Sequence, residues 1–227
     1  LNYIDETSRA TGSRFGGVQG YWVDEGAAPT APRPKLGQAE WRPRKVAALW
    51  YATDELIADA DLAGRLARAA FAEELVWLTE DAIINGTGAG QPKGIIGHGA
   101  AVDVAKETGQ AATTLVYENI IKAWSRMWGR SRQNAVWLIN QDVEPQLDQL
   151  VINVGTGGAP VYMPANGIAD SPYGRLKGRP VIPVEYCKTL GTSGDIVLFD
   201  PTQYLMVDKG APDFASSIHV RFINDEM

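Results

Sequence analysis

The sequence is poor in the residues that carry metal and redox chemistry. Of its 227 residues, one is cysteine, Cys187, and two are histidine, His98 and His219. A lone cysteine excludes an intrachain disulfide framework and suits a reducing compartment. Three potential ligands scattered so far apart in sequence do not make a metal motif. No apolar run reaches the ~18 residues of a membrane helix, and no signal-peptide pattern opens the chain. Excess basic charge is missing too. The 27 acidic and 21 basic residues leave a formal net charge of -6, which gives no support for duplex binding through a global basic surface. There is no internal repeat and no low-complexity tract. The chain opens on Leu1 and stops at Asp225-Glu226-Met227, so both ends read as cut.

What is present is an ordinary globular composition, 45% hydrophobic and 21% charged, enough for one large domain or two lobes. Residues 1–20 are polar and glycine-rich and cannot build a core. Tyr21-Trp22-Val23 reads as a short strand. Residues 26–38 carry Pro29, Pro32 and Pro34, which favour extended backbone without regular ladder bonds. Residues 40–52 suit a strand again, with Trp41, Val46, Leu49, Trp50 and Tyr51. The simplest geometry is a two-stranded arm that leaves near Asp24 and returns near Val46. Such an arm is marginal alone, so either a neighbouring subunit covers it or it is an ordinary surface hairpin.

Thr53 can cap a short helix with Asp54 and Glu55 in its first turn. A long helix follows over about 61–85. Phe71, Leu75, Leu78 and Ala82 recur on one face, and Leu62, Leu66, Ala69, Val76 and Ile83 broaden the expected buried surface. Asp61 and Arg65 form a favourable i,i+4 pair. A second amphipathic helix carries Val116, Ile120, Ala123 and Met127 and stops at Gly129. Residues 135–139 read as a buried strand. Asn140 can cap the next helix, and Pro145 is tolerable near that helix's start. Residues 153–174 read as a long Gly/Pro/Asn-rich loop, and loops of that length in compact domains usually have a job. Residues 181–184, 196–199, 204–207 and 218–222 read as strands.

The run from Asn85 to Gly97, with glycines at 86, 88, 90, 94 and 97, invites a phosphate-loop reading. A phosphate cradle needs a strand before it and a helix after it. Here the glycines follow a helix, at its electronegative end, and Gln91-Pro92 separates Gly90 from Lys93. The run therefore reads as a turn that closes the long helix, with Asn85-Gly86 as a left-handed stop. Ser193 in Gly191-Thr192-Ser193-Gly194 lacks the final glycine of a nucleophile elbow. Asp24-Glu25, Asp54-Glu55, Glu73-Glu74 and Glu80-Asp81 are adjacent pairs. On a helix such neighbours diverge by about 100°, so solvated faces or salt bridges fit better than an acid/base dyad. Arg126, Arg130 and Arg132 cluster where a helix dipole favours cations. They could contact phosphate, but a dipole-compensating solvated cluster is the favoured reading. Trp50, Trp77, Trp124, Trp128 and Trp137 fall within expected elements, as core or interface anchors.

Taken in order, these pieces resemble a known family. Ile84-Asn85-Gly86-Thr87-Gly88 with Gln91-Pro92-Lys93-Gly94-Ile95 looks like the loop after the spine helix of tailed-bacteriophage major capsid proteins of the Hong Kong 97 type. Gly178-Arg179-Pro180-Val181, and Gly194 through Asp200 to Tyr204, resemble that family's later strand signatures. The resemblance covers most of the chain.

It implies an α+β, Hong Kong 97-like capsid fold with a long spine helix, an extended β-hairpin loop, and peripheral and axial domains. Residues 1–23 correspond to a remnant of the N-terminal arm and 24–46 to the extended loop. Residues 47–112 and 203–227 correspond to the peripheral domain, and 113–202 to the axial domain. Pro29, Pro32, Arg33, Lys35, Trp41, Arg42 and Arg44 become the expected inter-subunit contacts. No catalytic, metal or cofactor residue is implied, and no cofactor. The implied role is a shell subunit, not an enzyme, forming pentamers and hexamers around double-stranded DNA in a phage, prophage or gene transfer agent. The implied partners are other copies of itself, scaffold, portal and decoration proteins, and DNA held without sequence specificity, with no membrane. The implied location is the virion, after assembly in the host bacterial cytoplasm. An encapsulin-like nanocompartment shell is the alternative, and a nucleotide-binding enzyme a remote one. Some family members cross-link a loop lysine to a peripheral asparagine. Aligning Lys45–Trp50 with the returning strand puts Ala39 at the lysine position, with Lys35 the nearest earlier lysine. Asn224 lies near the acceptor, and the family's catalytic glutamate would fall beyond Met227. A shell without covalent cross-links is therefore expected.

Overall fold

The computed structural model describes residues 2–6, 8, 10–30, 32–51, 60–154, 157–160, 162, 174–210 and 213–214. The chain divides into two compact units, residues 1–43 with 207–227, and residues 44–206.

In the first unit, strand β1 (Asn2–Ile4) pairs antiparallel with β2 (Leu36–Gln38), with Tyr3 opposite Gly37. The Tyr3 ring lies over Gly37, in the space a Cβ would take. A 3-10 turn at Arg14–Gly17 takes the left-handed conformation at Phe15, Gly16 and Gly17, and Gly16 O accepts from Lys35 N at 2.8 Å. The opening residues, expected only to follow a surface, thus supply a strand. The strands expected at residues 21–23 and 40–52 do not form among the described residues. Trp22 is fully exposed, at 105%. An isolated arm has no core to hold it, and its prolines cannot supply ladder donors.

In the second unit, helix α1 (Ala60–Asn85) is built from alanine, leucine and glutamate, strong helix formers. Helix α2 (Tyr117–Arg126) has Glu118 in its first turn and Arg126 in its last, both favoured by the helix dipole. Asn119 Oδ1 accepts from Val116 N at 3.2 Å and closes the helix start. Strand β3 (Val136–Ile139) runs into a 3-10 turn at Gln141–Val143 and helix α3 (Glu144–Asp148). Asn140 caps that turn by accepting from Asp142 N at 3.0 Å. The segment expected to be a loop begins instead as an antiparallel hairpin, β4 (Val151–Val154) with β5 (Gly157–Pro160). Strands β6 (Arg175–Leu176), β7 (Arg179–Pro183) and β8 (Ile196–Phe199) follow.

The main sheet has the order β6-β7-β3-β8, with β3 parallel to β7 and antiparallel to β8. Because strand side chains alternate, β3 feeds two cores. Trp137 and Ile139 join Ile120, Val143, Leu147, Leu176 and Val181 on one side. Leu138 joins Ile84 and Cys187 on the other. Trp137 is wholly buried, at 0% exposure, and its Nε1–H donates to Leu176 O at 3.1 Å, so burial costs it no polar contact. The strand expected at 204–207 is absent. A 3-10 turn at Pro201–Gln203 replaces its approach, and Leu205 and Met206 are exposed with no strand beside them. The capping and ion-pair expectations at Thr53 to Glu55 and Asp61, and the strand at 218–222, lie outside the described residues or side chains.

Candidate functional site

The glycine run is held by backbone bonds to the end of α1. Gly86 N donates to Ala82 O at 3.0 Å, Gly88 N to Pro92 O at 3.2 Å and Gly94 N to Gly86 O at 2.8 Å. The chain then doubles back along the helix. Ile95 N reaches Ile83 O at 2.9 Å, and Ile96 N reaches Ile84 O at 3.1 Å. Helix ends leave carbonyls without partners, and the returning strand of chain satisfies two of them. This packing requires glycine at two places. A Cβ on Gly86 would strike Pro92 O and Ala82 O, and one on Gly94 would strike Gly86 N. Gly86 therefore works by close approach and not as the left-handed stop expected. The positive φ angles fall at Gly88 and Gly90, at 82° and 76°. The amides of Gly86, Gly88 and Gly94 are spent on protein carbonyls and do not converge on an anion.

A second set of contacts fastens this end of α1. Asn85 Nδ2 donates to Asp81 Oδ1 at 2.7 Å and to Tyr186 O at 2.8 Å. Tyr186 donates its hydroxyl to Glu80 Oε2 at 2.7 Å, and that bond, with lesser help from burial, pushes the phenol pKa to about 12. Trp77 packs against the Tyr186 ring at 5.6 Å. The Glu80-Asp81 pair is thus structural. No sequence pattern pointed to Tyr186, because its contacts span about a hundred residues of chain.

The other chemical candidates are dispersed or engaged. His98 Nδ1 accepts from Ala100 N at 3.1 Å, and His219 lies outside the described residues. Burial, with Asp195 nearby, pushes the Cys187 thiol to about 11, so it is neutral and unreactive. Ser193 donates to Asp103 Oδ1 at 2.9 Å, with no histidine in that contact. Among the described residues no group of three His, Cys, Asp or Glu could hold a metal, and no helix is long and apolar enough to cross a membrane.

The expected contact residues lie on the surface. Pro29, Arg33, Lys35, Trp41 and Arg42 of the first unit are exposed and Pro32 is half-buried; Arg44 of the second unit is exposed. Arg42 pairs with Glu40 at 3.2 Å, a solvated ion pair of little energetic worth. Trp41 lines a shallow groove with Gln38, Ala39, Glu40 and Val207. Sequence alone did not reveal the exposed face of α1. Leu66 and Val76 are each 55% exposed, and Trp77 and Leu78 are also open. Trp50 meets Phe71 edge-on at 6.5 Å and covers only part of the face. Along the expected stripe Phe71 and Leu75 are half-buried, Leu78 is exposed and Ala82 is buried; among the described side chains of α1 the fully buried ones are Ala82 and Ile84, in its last turn.

The arginine cluster divides into two roles. Arg132 Nη2 donates to Trp124 O at 3.0 Å, closing the carbonyl end of α2 as the dipole predicts. Arg126 and Arg130 extend from the surface.

A sequence model of the phage capsid family matches residues 2–227. No curated protein matches this sequence. Two solved structures share its capsid-like α+β fold. The capsid of a native GTA particle, computed with C5 symmetry, superposes with a TM-score of 0.61 at 18% identity, over 87% of this chain and 67% of that one. The capsid of an empty GTA particle, also computed with C5 symmetry, gives 0.58 at 19% identity, over 79% of this chain and 63% of that one. This chain therefore spans about two thirds of the length of those capsid chains.

Proposed function

The chain belongs to the phage capsid family, and from that premise we propose that it is a major capsid protein, assembling into pentamers and hexamers of an icosahedral head around double-stranded DNA. The observation that carries this reading is the uncovered apolar length of α1, with Leu66, Val76, Trp77 and Leu78 open to solvent. These side chains do not share one face, because consecutive helical residues diverge by about 100°; α1 is apolar around much of its girth, and a helix of that kind is one that other elements cover. Other copies of the chain are the natural cover in a family of shells. Support also comes from the symmetric particles in which the structural relatives were determined.

In this reading residues 24–46 form the extended loop, and Pro29, Pro32, Arg33, Lys35, Trp41, Arg42 and Arg44 contact the neighbouring subunit. Solvated contacts of this kind are each worth little. Hundreds of them repeated in a closed shell add up by multivalency. The peripheral domain comprises 47–112 with 203–227, and the axial domain 113–202. Scaffold and portal proteins guide assembly, DNA is held without sequence specificity, and the shell is a non-enzymatic part of the virion.

Electron microscopy of the full-length protein, expressed with and without its scaffold, tests the proposal. Closed particles are expected. A protein that stays monomeric under every condition would overturn it. Denaturing electrophoresis of the particles is expected to give monomer bands, and a ladder of covalent multimers would remove the expectation of a shell without cross-links.

A further inference from the structure

One residue of the segment between β7 and β8 bridges two turns of the long helix. The Tyr186 ring meets Trp77 with centroids 5.6 Å apart. Its hydroxyl donates to Glu80 Oε2 at 2.7 Å, and its carbonyl accepts from Asn85 Nδ2 at 2.8 Å. Asn85 Nδ2 also reaches Asp81 Oδ1 at 2.7 Å. At 100° per residue, positions 77, 80, 81, 84 and 85 fall within about 140° of one another, so they share one face of α1. From Trp77 to Asn85 the contacts cover about 12 Å of the helix axis.

The backbone around Tyr186 hangs from the main sheet. Val184 N donates to Ile139 O at 2.8 Å, and Asn140 Nδ2 donates to Cys187 O at 2.8 Å. The end of β3 thus holds the chain on both sides of Tyr186. Cys187 is itself buried in the second core with Ile84 and Leu138. On the helix, Ile95 N and Ile96 N hold the carbonyls of Ile83 and Ile84, and these bonds secure only the last turn. A rod held at one end pivots there unless a second support stands further along it. Tyr186 supplies that support at Trp77 and Glu80, one to two turns back. Before Ala82 no described side chain of α1 is fully buried. Trp50 meets Phe71 edge-on at 6.5 Å, but residues 44–51 join no strand that would anchor them.

We infer that Tyr186 is a positioning residue, which braces α1 against the main sheet and fixes the angle between them. The inference rests on the proposed shell function, in which other copies cover α1, and adds the residue that holds this helix at the angle they meet. A closed shell repeats its contacts, so an error of angle in each subunit accumulates around a ring and opposes closure. The helix magnifies such an error. Arg68 lies about 24 Å along the axis from Ile84, so a swing of about 10° about the last turn moves it by about 4 Å.

The test places nitroxide labels at Arg68→Cys on α1 and Arg126→Cys on α2, both exposed positions. The label-to-label distance distribution of the full-length unassembled subunit is read by pulsed electron paramagnetic resonance. Cys187 is buried and takes no label. Tyr186→Ala is expected to shift or widen the distribution by about 4 Å, the lever displacement above. Tyr186→Phe keeps the ring and loses the hydroxyl bond, so it gives a smaller change. Glu80→Gln keeps an acceptor oxygen and should match the unsubstituted chain. An unchanged distribution in folded Tyr186→Ala overturns the inference and leaves the shell function standing. If a collapsed urea midpoint shows that Tyr186→Ala does not fold, Tyr186→Phe decides in its place. Electron microscopy of the same variants is expected to show a wider spread of particle diameters. Unchanged diameters beside a changed label distance would confine the brace to the fold and overturn its role in assembly. If the unsubstituted chain forms no particles, the shell function fails, while the label distances still decide the brace.

Discussion

Helix α2 carries one apolar stripe at helical spacing, while α1 adds apolar residues on its other sides, and the chain treats the two differently. On α2, Ile120 has no exposed surface and packs with Trp137 and Val181 of the sheet. On α1, the stripe of Phe71, Leu75, Leu78 and Ala82 is covered in part, whereas Leu66 and Val76, which lie off it, remain more than half exposed; the helix reaches the second core at Ile84 and through Trp77 against Tyr186. The stripe of α2 is satisfied within the chain, while α1 carries further apolar residues off its stripe that stay open. Amphipathicity states that a face needs cover, but it does not say whether the cover comes from the same chain. The α2 region is a finished core, and α1 presents a surface still to be filled.

The comparison breaks first at Trp137. Trp137→Ala should cost about 3–5 kcal/mol, the usual range for a buried aromatic truncation, read as a lower urea midpoint of the unassembled subunit. An unchanged midpoint would mean that the sheet core does not set the stability of this unit.

A smaller effect is expected at Asp200, which ties the end of β8 to the turn after α2. Burial raises its pKa, but hydrogen bonds from Thr202 and Ser131 more than compensate and hold it below the usual carboxylate value. Thr202 N and Oγ1 donate to Asp200 Oδ1 at 3.0 and 2.7 Å. A depressed carboxyl stabilises the fold above its unfolded pKa of about 3.9, and that contribution is lost as pH falls through the lower folded value. Asp200→Asn should therefore cost on the order of 1 kcal/mol at neutral pH. The gap to wild type should close on acidification, as followed by denaturant midpoints across pH. A constant gap would assign the effect to shape alone.

The smallest effect on subunit stability is expected on α1. Leu66→Gln and Val76→Gln should shift it by no more than about 0.5 kcal/mol, as exposed substitutions do, while lowering particle yield in electron microscopy. A large loss of subunit stability instead would show that the subunit covers this face itself, and the contrast between the helices would disappear.

How much of this was legible depended on how local the signal is. Helix α2 and strands β3, β7 and β8 follow from their apolar patterns, because each has a nearby element to pack on, and the long helix follows from its run of strong helix formers. Asn140 declared its capping role by preceding an acidic first turn. The strands expected at 21–23, 40–52 and 204–207 carried β-prone residues, but a strand needs a ladder partner that composition cannot guarantee. Conversely, Asn2–Ile4 looked featureless and became a strand because Leu36–Gln38 offered it an edge. The surface contact residues were read through a family resemblance. Tyr186 and Lys177 were passed over, since their contacts are with residues distant in sequence.

By itself the sequence determined the absence of disulfide and membrane-helix patterns, the main helices and buried strands, and the meaning of the glycine run as a turn after a helix. Those follow from residue type, spacing and local backbone chemistry. Tertiary structure alone decided that Gly86 and Gly94 are needed for backbone contact, that Arg130, Arg132 and Lys177 lie over aromatic rings, and that Leu66, Val76 and Trp77 of α1 stay open. Each depends on distances between segments remote in the chain, and only folding sets those distances.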